Sequence, residues 1–213
     1  MNCHYIFFDV ANTLLHKPDL FPNINSVLEK YHYHMPLSHL KKVHKLVSEV
    51  FVFPDKTSKE FYLAFNTDFL LSLGVLPTPA LLDDIFNACT YLGWKPFEDT
   101  SILASLKHPL GIISNWDKSL PEKLKTYFDI NFERIFTSEI AQLKKPDIRF
   151  YERALANLGY APEQVLYVGD SLKLDILPAL KLGIKAVLLD REDAYPYYKG
   201  HKINDLSQIK SFI

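Results

Sequence analysis

Four places in the chain carry side chains suited to chemistry on a charged substrate. The first is Asp9, in Phe7-Phe8-Asp9-Val10-Ala11-Asn12-Thr13-Leu14. A carboxylate that closes an apolar run can serve as a nucleophile, a metal ligand or a turn cap. The second is Ser114, in Gly111-Ile112-Ile113-Ser114-Asn115, whose hydroxyl can donate to an anionic oxygen. The third is Lys145, in Lys144-Lys145-Pro146-Asp147, a fixed positive charge ahead of an amphipathic stretch. The fourth is Gly169-Asp170-Ser171 with Asp175 behind it. Two acids five residues apart at a strand-to-helix turn can hold a hard cation through oxygen. Each alone has a plain structural reading: Lys-Pro-Asp makes a surface turn and Ser-Asn caps a helix. Their order, and the shared place of Asp9, Ser114 and Asp170 at the ends of apolar runs, carries the functional reading.

The elements that must position these groups follow from periodicity. Residues 5–8, 110–114, 134–137, 165–169 and 186–189 are short apolar runs that read as buried strands. Helical patterns fill residues 120–127, 148–158 and 172–182 between them. Strands alternating with helices predict crossover units and a parallel sheet. Between the first strand and the second the pattern is helical. Residues 23–32 and 37–51 predict two helices, a Thr57/Glu60 capping box a third, and Thr78 before Pro79 a fourth, with Gly74 and Gly93 as stops. The expected architecture is α/β, a Rossmann-like parallel sheet core over residues 1–14 and 94–213 with an inserted α-helical cap over 15–93. In open parallel sheets, ligands bind beyond the carboxyl ends of the strands, where Asp9, Ser114 and Asp170 fall.

Composition narrows the class of partner. The 213 residues are 48% hydrophobic and 23% charged, with 24 Lys and Arg against 25 Asp and Glu, for a net charge of −1. A chain so balanced has no general affinity for polyanions, so nucleic acid is not an expected partner. The two cysteines, Cys3 and Cys89, make neither a disulfide framework nor a zinc site. With no signal-like leader and no apolar run of membrane-spanning length, a cytoplasmic protein without membrane association is expected.

Asp9, Ser114, Lys145 and Asp170 with Asp175, in that order and with a helical insertion after the first strand, resemble the four motifs of the haloacid dehalogenase-like hydrolase superfamily along nearly the whole chain. The resemblance implies a mobile cap over the sheet. Asp9 would be a nucleophile forming a covalent aspartyl intermediate, and Mg²⁺ would be held by Asp9, the main-chain carbonyl of Ala11 and Asp170. Ser114 and Lys145 would offset charge on a transferring phosphoryl group, and Asp175 would orient Lys145 or water. Thr13 and Asn115 would help position the first motif and the phosphate; Trp116, by its place just after Ser114 and Asn115, is a pocket candidate. The expected substrate is a small phosphorylated compound. Asn12 stands where the family often has Gly, which suggests a positive φ, a conformation Asn tolerates.

One departure is chemical. Ala11 occupies the place where the family's phosphatases carry a second acid that protonates the leaving oxygen and activates water. A methyl group does neither, and a positioned acid or base contributes about 10²- to 10⁴-fold. Three readings compete: a phosphatase with a weakened or relocated acid/base step, a phosphonatase-like or dehalogenase-like hydrolase, and a phosphate-ligand-binding pseudoenzyme. The phosphonatase-like branch needs a cap lysine, for which Lys41, Lys42, Lys45, Lys56 and Lys59 are available, each equally readable as a solvated helix charge. The retained Asp170 argues against the dehalogenase branch. His32, His34, His39 and His44 cross a helix boundary at Pro36 and read as helix and turn residues rather than a metal site. The aromatic residues of 51–54 and Phe61, Tyr62, Phe65 and Phe69 read as core before pocket. The run 195–198 could cover a sheet edge or meet a partner. No pattern encodes the oligomeric state or the natural substrate.

Overall fold

The computed structural model describes residues 3–53 and 57–213. Pro54, of the aromatic run, and Lys56, of the cap lysines, lie outside the described residues. The chain divides into two compact units: Met1–His16 with Pro96–Arg191 and Tyr195–Ile213, and Lys17–Lys95 with Glu192–Ala194.

The first unit is built on a six-stranded sheet. Its strands are β1 (Tyr5–Phe8), β4 (Leu110–Ser114), β5 (Phe132–Thr137), β6 (Val165–Gly169), β7 (Lys185–Leu189) and β8 (Lys202–Ile203). The spatial order is β5-β4-β1-β6-β7-β8, and every pairing is parallel. A parallel sheet covered on both faces demands unbroken apolar strands. The central strands comply: all four residues of β1, and all five of β4 and of β6, are buried. A second, two-stranded sheet joins β2 (Leu15–His16) to β3 (Lys95–Pro96). The helices α5 (Leu120–Tyr127), α6 (Ser138–Ala141), α7 (Ile148–Leu155) and α8 (Leu177–Lys181) connect the strands.

This α/β Rossmann-like sheet is the one the strand pattern predicts, with additions at its edge. The two-residue β8 carries too little periodicity to be read from sequence. It flanks β7, so the tyrosine run at 195–198 is not what pairs with that strand. Tyr195 instead donates its N–H to Asp190 Oδ2 at 3.0 Å. The single helix expected over 172–182 is a π-helical turn, Leu172–Ile176, leading into α8. Two features account for the break. The Ser171 carbonyl accepts from both Asp175 N and Ile176 N, at 3.0 and 3.1 Å, which widens the turn. Pro178 has no N–H to return to the Leu174 carbonyl, and the Tyr151 hydroxyl donates there instead.

The second unit holds four helices: α1 (Leu20–Lys30), α2 (Leu37–Val50), α3 (Lys59–Ser72) and α4 (Pro79–Ala88). Thr78 caps α4 by accepting from Leu81 N, as its place before Pro79 predicts. The cap of α3 is Ser58, not Thr57: its Oγ accepts from Phe61 N at 3.2 Å. Gly74, at φ +74, follows the last turn of α3, whereas α4 ends at Cys89, well before Gly93. The core is apolar and aromatic, with Leu28, Leu40, Phe65, Phe69, Leu81 and Ile85 at its centre. Phe51 and Phe53 set their rings against Phe61 and Phe65; Phe51 packs on the core, whereas Val52 and Phe53 are 67% and 37% exposed. Among the described residues, no helix is long and apolar enough to cross a membrane.

Candidate active site

The sheet order puts β1 between β4 and β6, so the residues that follow these three strands meet at one carboxyl edge. Phe8 lies level with Ile112 on one side and Val168 on the other, and Asp9 N donates to the Val168 carbonyl at 2.9 Å. Asp9, Ser114 and Asp170 thereby stand side by side, all buried. Lys145 arrives from the loop ahead of α7. Its Nζ lies 2.5 Å from Asp9 Oδ1 and 2.7 Å from Asp175 Oδ1, and Ser114 Oγ donates to the same Asp9 oxygen at 3.2 Å.

The loop carrying Lys145 is fixed by a neighbour. Asn115 Oδ1 accepts from Lys145 N at 2.8 Å, and Asn115 Nδ2 donates to the Lys145 carbonyl at 3.1 Å. An amide that holds both polar groups of one peptide residue locks that residue in place. Asn115 is therefore tied to Lys145 first of all, whatever it does for substrate. Asp175 is fixed too. Its Oδ2 accepts from Ser171 N at 3.0 Å while Oδ1 receives Lys145. Gly169 makes room for it, since a Cβ there would lie 2.4 Å from Asp175 Cγ.

Electrostatics follow from burial. Removal from water raises the Asp9 pKa above the usual carboxylate range, against the pull of the Lys145 ammonium and with Asp175 adding repulsion. Burial works against the Lys145 charge, but Asp175 and Asp9 more than offset it and hold the ammonium above its ordinary pKa. Asp9, Asp170 and Asp175 each bring a carboxylate oxygen within 4.8 Å of the others, and this is the sole such acid, His or Cys group among the described residues. One ammonium among three carboxylates leaves the group with excess negative charge in a buried place. Hard oxygen donors with excess negative charge fit a hard divalent cation. Asp9, Asp170 and Asp175 are the carboxylates placed to offer such donors, and Asp175 also serves Lys145 and Ser171 N.

The other sequence candidates sit as follows. Asn12 takes φ +60 in the turn after Asp9. The Thr13 side chain is buried, with no hydrogen-bond partner described for its Oγ1. Trp116 is held through its carbonyl, which accepts from Ser138 Oγ and Glu139 N. Of the cap lysines, Lys41, Lys45 and Lys59 pair with Glu192, Glu49 and Asp83. His44 packs edge-on against Phe21, Phe65 and Phe69. One participant escaped sequence reading. The hydroxyl of Tyr167 donates toward Asp175 Oδ1 at 3.0 Å and the Ile113 carbonyl at 3.2 Å. A phenol in the otherwise aliphatic run Val165-Leu166-Tyr167-Val168 was the available signal.

A family model described as haloacid dehalogenase-like hydrolase matches residues 6–189. The chain belongs to this family. It is 36% identical over 125 residues to haloacid dehalogenase-like hydrolase domain-containing protein 3 of Danio rerio, covering 54% of this chain and 52% of that protein. It is 35% identical over 108 residues to the glyceraldehyde 3-phosphate phosphatase of Methanothermobacter thermautotrophicus, covering 46% of each. A (S)-2-haloacid dehalogenase of Pseudomonas putida is 28% identical over 136 residues, 58% of each chain. This haloacid dehalogenase-like hydrolase spans about half the length of the curated relatives it matches. Among solved structures, a HAD hydrolase of Bacillus subtilis bound to magnesium shares its fold, with a TM-score of 0.66 at 17% identity over 100% of this chain and 99% of that one.

Proposed function

We propose that this chain is a Mg²⁺-dependent hydrolase of small phosphorylated compounds, with Asp9 as the nucleophile. The observation that carries the proposal is the Lys145 ammonium shared by Asp9 and Asp175 while Ser114 donates to the same Asp9 oxygen. Attack by an Asp9 oxygen on phosphorus forms an aspartyl-phosphate and breaks the bond to the leaving oxygen. Water then cleaves the intermediate, restoring the carboxylate and releasing phosphate. Lys145 and Ser114 are the cation and hydroxyl available to phosphoryl oxygens, and Asp175 keeps Lys145 aimed. Mg²⁺, held by Asp9, Asp170 and the Ala11 carbonyl, would add positive charge to the same oxygens. Thr13, Asn115 and Trp116 are proposed to line the substrate's approach, and the Lys17–Lys95 unit to act as the cap that selects substrate. A reducing, cytoplasmic setting belongs to this proposal, since Cys3 and Cys89 are free thiols.

The relatives include both phosphatases and haloacid dehalogenases. Asp170, a second acid beside Asp9, favours the metal-dependent phosphoryl chemistry over dehalogenation. The test is Asp9→Asn, assayed with p-nitrophenyl phosphate and Mg²⁺ alongside a circular-dichroism check of folding. Turnover is expected to vanish with the fold kept; equal turnover in both proteins removes Asp9 as nucleophile.

Ala11 favours a second reading, a phosphate-ligand-binding protein without efficient turnover. A panel of phosphate esters separates the two, with Ala11→Asp as the gain-of-function control. Robust turnover by the wild type ends the binding-only reading. No turnover from either protein ends the phosphatase one.

A further inference from the structure

The proposed nucleophile stands at the head of a turn whose outer side is held by groups far away in sequence. On the inner side of this turn the Val10 carbonyl accepts from Thr13, Leu14 and Leu15 N–H groups, at 3.3, 2.9 and 2.9 Å. Asn12, in the left-handed region, donates its N–H to the Leu15 carbonyl at 2.7 Å. This internal bonding leaves the carbonyls of Thr13 and Leu14 to find partners elsewhere. Phe97 N donates to Leu14 O at 3.0 Å, and Arg191 donates to Thr13 O at 3.0 Å.

Arg191 is itself strongly fixed. Its guanidinium makes a two-pronged ion pair with Asp99, at 2.6 and 2.9 Å, both side chains being mostly buried. It lies 3.8 Å over the centre of the Phe97 ring, and His16 stacks on the same ring at 4.1 Å. Asp99 Oδ2 also accepts from Leu206 N at 2.7 Å. Arg191, two residues beyond the end of β7, and the 97–99 segment thus grip the turn at two successive carbonyls. A planar fork that serves a carboxylate and a carbonyl while stacked on a ring is a task lysine cannot copy.

We propose that Arg191, with Asp99 and Phe97, is a positioning residue that sets the Ala11–His16 turn and through it the aim of Asp9. The inference rests on the phosphoryl-hydrolase reading for its catalytic consequence, but not for the grip itself. Misplacing a reacting group by about 1 Å costs roughly 100-fold in rate. The hydrogen bonds of Arg191 go to Asp99 and the Thr13 carbonyl and not to Asp9, Ser114, Lys145 or Asp175, so its loss should act on kcat more than on KM.

The experiment compares wild type, Arg191→Ala, Arg191→Lys and Asp99→Asn by two readouts. Hydrogen exchange is followed in peptides covering residues 10–16 and, as an internal reference, β6 and β7. Turnover of p-nitrophenyl phosphate with Mg²⁺ gives kcat and KM. The expected result is exchange faster by about tenfold or more at 12–15 in Arg191→Ala with β6 and β7 unchanged. With it should come a kcat lower by roughly 10- to 100-fold, KM within about threefold, and only partial recovery in Arg191→Lys. Unchanged exchange at 12–15, exchange rising equally in β6 and β7, or full recovery by Lys would each overturn the proposal. So would faster local exchange with kcat intact. Should wild type not turn over this ester, the ester panel with Ala11→Asp decides the phosphatase reading, and the exchange readout alone decides whether Arg191 holds the turn.

Discussion

The carboxyl edge of the sheet and the core of the helical unit are equally well hidden from water, and they are built from opposite materials. Asp9, Lys145 and Asp175 are 4%, 4% and 1% exposed, while Leu28, Phe69 and Ile85 are 0% exposed. In the helical core, each large apolar side chain withdrawn from water contributes about 1.5–3 kcal/mol. At the sheet edge, burial costs free energy for each charge, and only partners placed within hydrogen-bond reach offset it. A degree of burial therefore says nothing of purpose until the buried atoms are named. Where charge is buried and partnered, with negative charge left in excess, the arrangement fits a cation in a way that an apolar core does not.

Removing the central cation is the severest way to try that contrast. In Lys145→Met, three carboxylates share a buried site with no ammonium among them. Hydrolytic activity should fall by about 10³-fold or more, since a preorganised charge on the reacting group is lost. Without metal, unfolding free energy should drop by about 3–5 kcal/mol, the cost of orphaning buried charges. Mg²⁺ should restore part of it, because a bound cation stabilises whatever state binds it. Urea unfolding in EDTA and in Mg²⁺ measures both effects. A variant as stable as wild type in EDTA would mean that the charged cluster and the apolar core differ only in appearance.

The helical unit offers the next largest effect, at a titratable ring set into its apolar core. His44 sits among Phe21, Phe65 and Phe69, and burial brings its pKa down from 6.5 to about 4. The folded state thus prefers the neutral ring, while the unfolded chain takes up a proton near pH 6.5. Stability from this source is complete above that value and is lost as pH falls toward 4. The difference between the pH–stability profiles of wild type and His44→Gln should amount to about 2–3 kcal/mol across that interval. Parallel profiles would show that the aromatic core tolerates charge, which erases the distinction from the sheet edge.

The two regions also differed in how far they could be read from sequence. Continuous apolar runs announce parallel strands, so β1, β4 and β6 were legible, and so were the acids and the serine that end them. Lys145 was legible by its setting, although the Asn115 amide that pins its backbone was not, because a side chain bonding both polar groups of a residue 30 positions away leaves no local pattern. Helix ends were legible where a cap and a proline coincide, as at Thr78-Pro79, and missed by one residue where two hydroxyls compete, as at Thr57-Ser58. The widened turn at 172–176 was invisible because its cause is a carbonyl shared by two N–H groups. What periodicity encodes is which face is buried; which polar atoms meet there is settled by tertiary neighbours.

Tyr167→Phe probes the boundary between the two kinds of burial with a single oxygen. Tyr167 is fully buried, and that burial pushes its pKa well above the usual phenol range, so it remains an O–H donor. With one proton it bonds either Asp175 Oδ1 or the Ile113 carbonyl, and the carboxylate is the stronger acceptor. Deleting the hydroxyl leaves Asp175 with Lys145 on one oxygen and Ser171 N on the other, so the carboxylate stays partnered. The expected loss is therefore only about 1–2 kcal/mol in unfolding free energy. A loss above about 3 kcal/mol would exceed one neutral hydrogen bond and mean that the phenol, not the Lys145 pair, holds Asp175 in place. No loss would mean that a ring alone suffices beside three buried acids, and that the sheet edge is held by packing after all.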